Sequence, residues 1–171
     1  MIDLGKKGLL FLLVLLIQLF FIDQIDLGFL NYYFSPLIYG LVVIIIYPAF
    51  DFSYLLIAAF FMGCSIDLFR NTLGLNISSL VAVAYFRKYI LSLISPRDGF
   101  EPNKDLNIFN IGVGRFILYA SIMLFFHHFW FYVLEDFHFN QLHILIFRAI
   151  SNSIIALMFL LLIQYLTFRK K

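Results

Sequence analysis

The hydrophobic residues of this chain fall into long continuous runs that are separated by short polar segments. The runs over residues 9–21 and 37–47 contain no charged side chain. Strands of a membrane barrel alternate apolar and polar residues, whereas an unbroken apolar run is typical of a membrane helix, which hydrogen-bonds its own backbone. The pattern therefore predicts an all-α fold in a single transmembrane domain over residues 1–171.

The runs have room for six membrane-spanning helices, because a helix needs about 20 residues to cross the hydrocarbon. We place them near residues 8–22, 32–47, 53–70, 75–95, 109–134 and 142–168. Pro48, which cannot continue a helix, separates the second and third spans together with Asp51. Asn71 and Gly74 separate the third span from the fourth.

Composition and charge fix an expected orientation. The chain is 63% hydrophobic and 13% charged, which is too little charge to cover a water-facing surface. Basic residues favour the cytoplasmic side. Six spans with a cytoplasmic N-terminus place these basic residues on that side: Lys6, Lys7, Arg87, Lys88, Arg97, Lys104, Arg115, Arg169, Lys170 and Lys171. Both termini are therefore expected in the cytoplasm, and Arg70 and Arg148 are the two exceptions.

Small residues recur every fourth position on the third predicted helix. Ala59, Gly63 and Asp67 share one face, which forms a groove that ends in a carboxylate. Ser78 and Ala82 form a matching stripe on the fourth helix. Small residues at this spacing let membrane helices approach closely, so the two helices are expected to pack as a tight hairpin.

Two charged residues lie inside predicted spans and need partners, because a bare charge in hydrocarbon is costly. Asp67 and Arg148 both fall in the outer half, and we expect them to form a buried ion pair. Arg148 shares a polar face of the sixth helix with Ser151 and Asn152. The alternative is that Asp67 and Arg148 each find water, lipid headgroups or another partner; Arg70 is one candidate for Asp67.

Motifs of catalysis and metal binding are missing from the sequence. Neighbouring helical residues point about 100° apart, so His127 and His128 cannot share one ion, and they are expected in the outer aromatic belt. Cys64 is a lone cysteine. We predict no enzyme, no cofactor, no metal and no nucleic-acid partner, and we interpret residues 95–107 as a solvated loop with nearly balanced charge.

The stretch from Tyr47 to Phe86 resembles the family of the rod shape-determining protein MreD. The resemblance rests on Pro48, on the Gly-x-x-x-Asp of Gly63 to Asp67, and on Leu73 with Gly74. The polar residue that often follows the Leu-Gly pair corresponds to Asn76. Residues 69–72 depart from the family, which often has small residues there.

The resemblance implies a non-enzymatic scaffold of the cell-elongation complex in the bacterial inner membrane, which regulates peptidoglycan synthesis and cell shape. The expected partners are MreC, a single-span protein, and in the same complex RodA, a class B penicillin-binding protein and MreB, besides membrane lipids and a second copy of the chain. The expected helix-docking residues are Ala59, Gly63, Asp67, Gly74, Asn76, Arg148 and Asn152. An open alternative is the substrate-binding subunit of a vitamin or metal transporter, although residues 9–22 lack the alanines of its coupling motif.

Overall fold

The described part of the chain is entirely helical. A computed structural model describes residues 4–46, 50–102, 104–137 and 141–168, and no strand occurs in these ranges. The α-helices are α1 Leu4–Ile17, α2 Leu41–Ile45, α3 Phe52–Arg70, α4 Leu75–Ile94, α5 Val113–Asp136 and α6 Leu142–Phe168. A π-helical turn over Gln18–Ile22 extends α1, and 3₁₀ turns lie at Gly28–Tyr32 and Ile38–Gly40. The all-α prediction is confirmed.

Four helices, α3 to α6, are long and apolar enough to cross a membrane. Their bounds agree with the predicted third to sixth spans. The chain order makes α3 and α5 run one way and α4 and α6 the other, and each packs on its neighbour in sequence. We call the end where α1, α3 and α5 finish the distal end, and the opposite end the proximal end. Six crossings and cytoplasmic termini stay predictions.

Local side-chain chemistry sets the hairpin between α3 and α4. The Asp51 carboxylate accepts hydrogen bonds from the amides of Ser53 and Tyr54 at 2.8 and 3.2 Å, which satisfies the first turn of α3. Asn71 ends α3 in the left-handed conformation, with φ of 53°, which asparagine tolerates better than most residues. Gly74 adopts φ of 82° just before α4, so the predicted break between the two helices is confirmed.

The second predicted span is not a continuous helix. Helical structure between residues 32 and 47 covers Ile38–Gly40 and Leu41–Ile45, which is about 12 Å of helix against the roughly 30 Å of a hydrocarbon core. Pro36 lacks an amide hydrogen and pushes the residue before it toward extended conformations, so the chain stays irregular up to Leu37. Pro48 lies outside the described residues.

The segment from Leu37 to Ile46 forms the centre of the bundle, and all ten of its residues are buried. It packs against α1, α4, α5 and α6. The loop before α5 closes the bundle at the proximal end, where the Leu106 amide donates to the Ile45 carbonyl at 3.2 Å. Leu106 is fully buried between buried Asp105 and Asn107, so the prediction of a solvated loop is wrong for this part.

Candidate functional site

The central segment, residues 33–46, carries backbone groups that no helix satisfies, and side chains of other helices satisfy them. Asn152 on α6 accepts from the Ser35 amide at 2.8 Å and donates to the Tyr33 carbonyl at 2.8 Å. The Tyr132 hydroxyl on α5 donates to the Ser35 carbonyl at 3.0 Å. One amide side chain and one phenol thereby hold the distal part of the segment in place.

Gln18 makes a second amide clamp from the π-helical turn. Its Nε2 donates to the Pro36 carbonyl at 3.2 Å, and its Oε1 accepts from the Ile38 amide at 2.7 Å. His128 Nε2 accepts from the Leu37 amide at 3.0 Å. Gln18 Nε2 also donates to the Asp23 carboxylate at 2.7 Å. Gln18 and His128 are fully buried, so they bond to protein groups rather than to solvent.

The proximal end of the central segment is held in the same way. The Tyr119 hydroxyl donates to the Ile44 carbonyl at 3.1 Å, and the Arg87 guanidinium donates to the Ile46 carbonyl and, at 3.1 Å, to the Tyr119 oxygen. A cation at a helix C-terminus also complements the helix dipole. Arg87 was expected as a cytoplasmic flank, but only 3% of it is exposed and it lies inside the bundle.

These side chains together form what we call the polar frame. Its members are Gln18, Arg87, Tyr119, His128, Tyr132 and Asn152. Irregular backbone at membrane depth is tolerated only where protein surrounds it and supplies hydrogen bonds, since each unsatisfied group costs several kcal/mol. The frame therefore makes the broken central segment possible.

The Asp67 carboxylate caps α4 although it belongs to α3. It accepts from the Thr72 hydroxyl at 2.6 Å, the Asn76 amide at 3.1 Å, the Asn76 side chain at 2.8 Å and the Ile77 amide at 3.0 Å. The residue directly before α4 is Gly74, which has no side chain to cap with. A negative charge at this helix start is also favoured by the helix dipole.

Asn76 links this cap to the bundle centre. Its Oδ1 accepts from the Tyr39 hydroxyl at 2.5 Å, and the Tyr39 ring meets the His127 ring edge to face at 5.1 Å. His127 packs so closely on Gly40 that a Cβ there would lie 2.7 Å from its Nδ1. His127 and His128 are fully buried, so their predicted place in an interfacial aromatic belt is wrong.

The small-residue face of α3 packs on α4 as expected. A Cβ at Gly63 would lie 2.5 Å from the Ile77 Cα, and Ala59 is buried on the same face. Ser78, predicted on the matching stripe, instead accepts from the Trp130 indole of α5 at 3.1 Å. The groove of α3 is therefore filled by the start of α4 within the same chain.

Arg148 is enclosed by aromatic rings and carboxylates. Its guanidinium carbon lies 4.2 Å from the Tyr32 ring centre and 4.1 Å from that of Tyr132. Its two terminal nitrogens donate to Glu135 and Asp136, each at 2.6 Å. This cluster ties the loop after α1 to the junction of α5 and α6.

The predicted pair between Asp67 and Arg148 is wrong, because each residue takes other partners. All four donors to Asp67 belong to residues 72–77, and the carboxylates on Arg148 come from the neighbouring end of α5. Arg70 does not join Asp67 either. It donates to Asp23 from Nε at 2.7 Å and from Nη2 at 2.5 Å.

Six of the seven predicted helix-docking residues are buried and hold this chain's own elements together. They are Ala59, Gly63, Asp67, Asn76, Arg148 and Asn152, while Gly74 is half-buried in the turn. Sequence reasoning missed the roles of Gln18, Tyr39, Arg87, Tyr119 and Tyr132. Gln18 alone gave a signal, as the single polar residue in the run 9–21.

A cavity opens at the distal end between the finishing turns of α1 and α3. Its volume is about 500 Å³, and the Asp23 and Arg70 ion pair lies in its wall. We call it the distal cavity. Within the described ranges, no three His, Cys, Asp or Glu side chains are grouped to hold a metal. Comparisons of the chain with protein-family models, curated proteins and solved structures give no match.

Proposed function

We propose that this chain is a non-enzymatic membrane scaffold with a role similar to that of MreD. In this proposal it lies in the bacterial inner membrane, binds the single span of an MreC-like partner, and works beside RodA, a class B penicillin-binding protein and MreB. The observation that carries the proposal is the joint between α3 and α4. Gly63, Asp67, Gly74 and Asn76, which carry the resemblance, meet in that one joint.

The joint and the polar frame support a scaffold because they fix shape. The Asp67 carboxylate and the frame side chains are engaged with backbone or side-chain groups of this chain. Hydrogen bonds in a low-dielectric interior are strong, so such networks hold helices in one arrangement. A docking surface gains affinity from being preorganised in this way.

The partner's helix needs a surface other than the predicted groove, which α4 fills. The opposite face of α3 presents an apolar stripe at helical spacing, formed by Tyr54, Ile57, Phe61 and Leu68. These residues are between 51% and 78% exposed. Helices associate in membranes through close packing of such faces, so we place the partner's span on this stripe.

Crosslinking in cells tests the docking face. We expect a photoreactive residue at Phe61 to give an adduct with the single-span partner, whereas one at Ile154 on α6, which is 54% exposed, gives none. An adduct from Ile154 without one from Phe61 would refute docking of the partner on the exposed face of α3.

The scaffold role itself is tested separately. It fails if MreC does not co-purify from detergent and if depletion of the protein leaves rod-shaped cells unchanged.

A transporter substrate-binding subunit is the second candidate. The distal cavity and the broken central segment favour it, because transporters place ligands where membrane helices are interrupted. Saturable binding of a water-soluble vitamin or metal ion by the purified protein, lost when Ser35→Leu narrows the cavity, would favour this role over the scaffold.

A further inference from the structure

The distal cavity has the size and the mixed lining of a ligand site. Its volume of about 500 Å³ falls within the usual range for small-molecule sites, roughly 300–1,000 Å³. Asp23 and Arg70 lie in its wall with side chains that are 14% and 16% exposed. Ser35 and Asn31 add uncharged polar groups to the lining. A ligand in the cavity would therefore meet both the ion pair and hydrogen-bonding groups.

The ion pair in the wall has capacity left for a ligand on both residues. Asp23 Oδ1 accepts from Arg70 and from Gln18 Nε2, whereas Oδ2 accepts only from Arg70 among the described residues and keeps a second lone pair. Arg70 donates to Asp23 from Nε and Nη2, and among the described residues its Nη1 has no protein partner. A guanidinium can hold a phosphate oxygen with a free N–H while it keeps a carboxylate. The formal charges of Asp23 and Arg70 sum to zero, so the wall complements a ligand that carries both signs better than a simple anion or cation.

Exposed apolar side chains continue the lining of the cavity onto the outer surface of the protein. Phe20 on the turn after α1, Ile25 beyond it and Phe69 on α3 line the cavity and are 60%, 54% and 68% exposed. Leu68, which precedes Phe69 on α3, is 78% exposed. A ligand whose polar head meets the ion pair thus finds an apolar path for a chain beside it.

From this geometry we propose that the distal cavity binds the headgroup of a zwitterionic phospholipid with a primary amine, its phosphate on Arg70 and its ammonium on Asp23. The acyl chains lie along Phe20 and Phe69. A primary ammonium has N–H groups for a carboxylate and a trimethylated one has none, so an ethanolamine headgroup is favoured over choline. The proposal does not depend on a protein partner.

Native mass spectrometry of the delipidated full chain tests the proposal, with phosphatidylethanolamine, phosphatidylcholine and phosphatidylglycerol as separate probes. We expect saturable binding of phosphatidylethanolamine, at least about tenfold tighter than of the other two lipids. Arg70→Gln should reduce this preference to within about twofold. Lys104→Gln, which breaks an exposed ion pair at the proximal end, should leave it unchanged.

Ser35→Leu places a branched apolar side chain in the cavity wall and leaves both residues of the ion pair unchanged, so it keeps the test decisive if Arg70→Gln does not fold. No hydrogen bond from the Ser35 hydroxyl is found among the described residues, so the fold should survive. We expect this variant to lose phosphatidylethanolamine binding. Equal binding of all three lipids, unchanged binding in Ser35→Leu, or tighter binding of free phosphoethanolamine than of the lipid would overturn the proposal.

Discussion

The carboxylate of Asp67 sits where α4 begins, although it belongs to the preceding helix. From this position it accepts hydrogen bonds from the amides of Asn76 and Ile77 and thereby also connects α3 to α4. Arg148 works similarly at the junction of α5 and α6, where it bridges Glu135 and Asp136. Neutral hydrogen-bond donors stabilise the Asp67 charge, and two carboxylates balance the Arg148 charge, so the two residues share no partner among these contacts.

Asp67→Ala should destabilise the protein by about 3 kcal/mol or more, because it leaves two helix amides and two side chains without their acceptor. Thermal unfolding of the purified protein in detergent measures this. Asp98→Ala in the exposed loop is the control and should have little effect.

Combining Asp67→Arg with Arg148→Asp should not restore the stability lost in the single variants. A full rescue would mean that the two residues pair after all.

At the scale of the element, two features depend on close fits between segments. The hairpin of α3 and α4 needs a glycine at 63, since the Ile77 backbone occupies the space of a side chain. The central segment needs amide side chains at 18 and 152, since the backbone between Tyr33 and Leu37 is not helical and has few partners of its own. Both requirements arise only when two segments pack together, so neither segment shows them by itself.

Gly63→Ala should lower the free energy of unfolding by roughly 1–3 kcal/mol, because its Cβ would lie 2.5 Å from the Ile77 Cα and must push the helices apart. Gly114→Ala is the matched control. No atom lies within 4 Å of the position of its Cβ, so it should be neutral or gain roughly 0.5 kcal/mol from higher helix propensity. Equal effects of the two changes on the unfolding temperature would contradict the close packing of α3 on α4 at Gly63.

Asn152→Leu should loosen the central segment while the long helices stay formed. The change removes the acceptor of the Ser35 amide and the donor to the Tyr33 carbonyl. We expect hydrogen exchange at residues 35–38 to speed up by about tenfold or more, with α4 unchanged. Ser151→Ala provides the comparison, because that hydroxyl bonds to carbonyls of its own helix, and no acceleration is expected there.

At the scale of the whole molecule, the bundle separates two chemically different ends. The distal end carries the ion pairs of Asp23 with Arg70 and of Arg148 with two carboxylates. The proximal end carries Arg97 and Lys104 in the loop before α5, and Lys88 and Arg115 on the adjoining parts of α4 and α5. The positive-inside rule then predicts that the proximal end faces the cytoplasm.

Cysteine labelling in intact cells tests this orientation. In a Cys64→Ser background, Leu73→Cys at the distal turn should react with a membrane-impermeant maleimide, because Leu73 is 99% exposed. Lys104→Cys at the proximal loop should react only after the membrane is permeabilised. The reverse pattern would place the N-terminus outside and would contradict the predicted topology.

Continuous apolar runs by themselves determined that the described part of the chain has helices and no strands, and where its four long helices lie, since such helices follow from local hydrophobicity and backbone hydrogen bonding. The spacing of Ala59, Gly63 and Asp67 also identified the correct face of α3. The tertiary structure alone decided that Asp67 caps α4, that Arg148 pairs with the end of α5, and that Gln18, His128 and Asn152 hold a broken second segment. Partners of buried polar groups depend on how helices rotate and dock, and apolar periodicity does not encode that geometry.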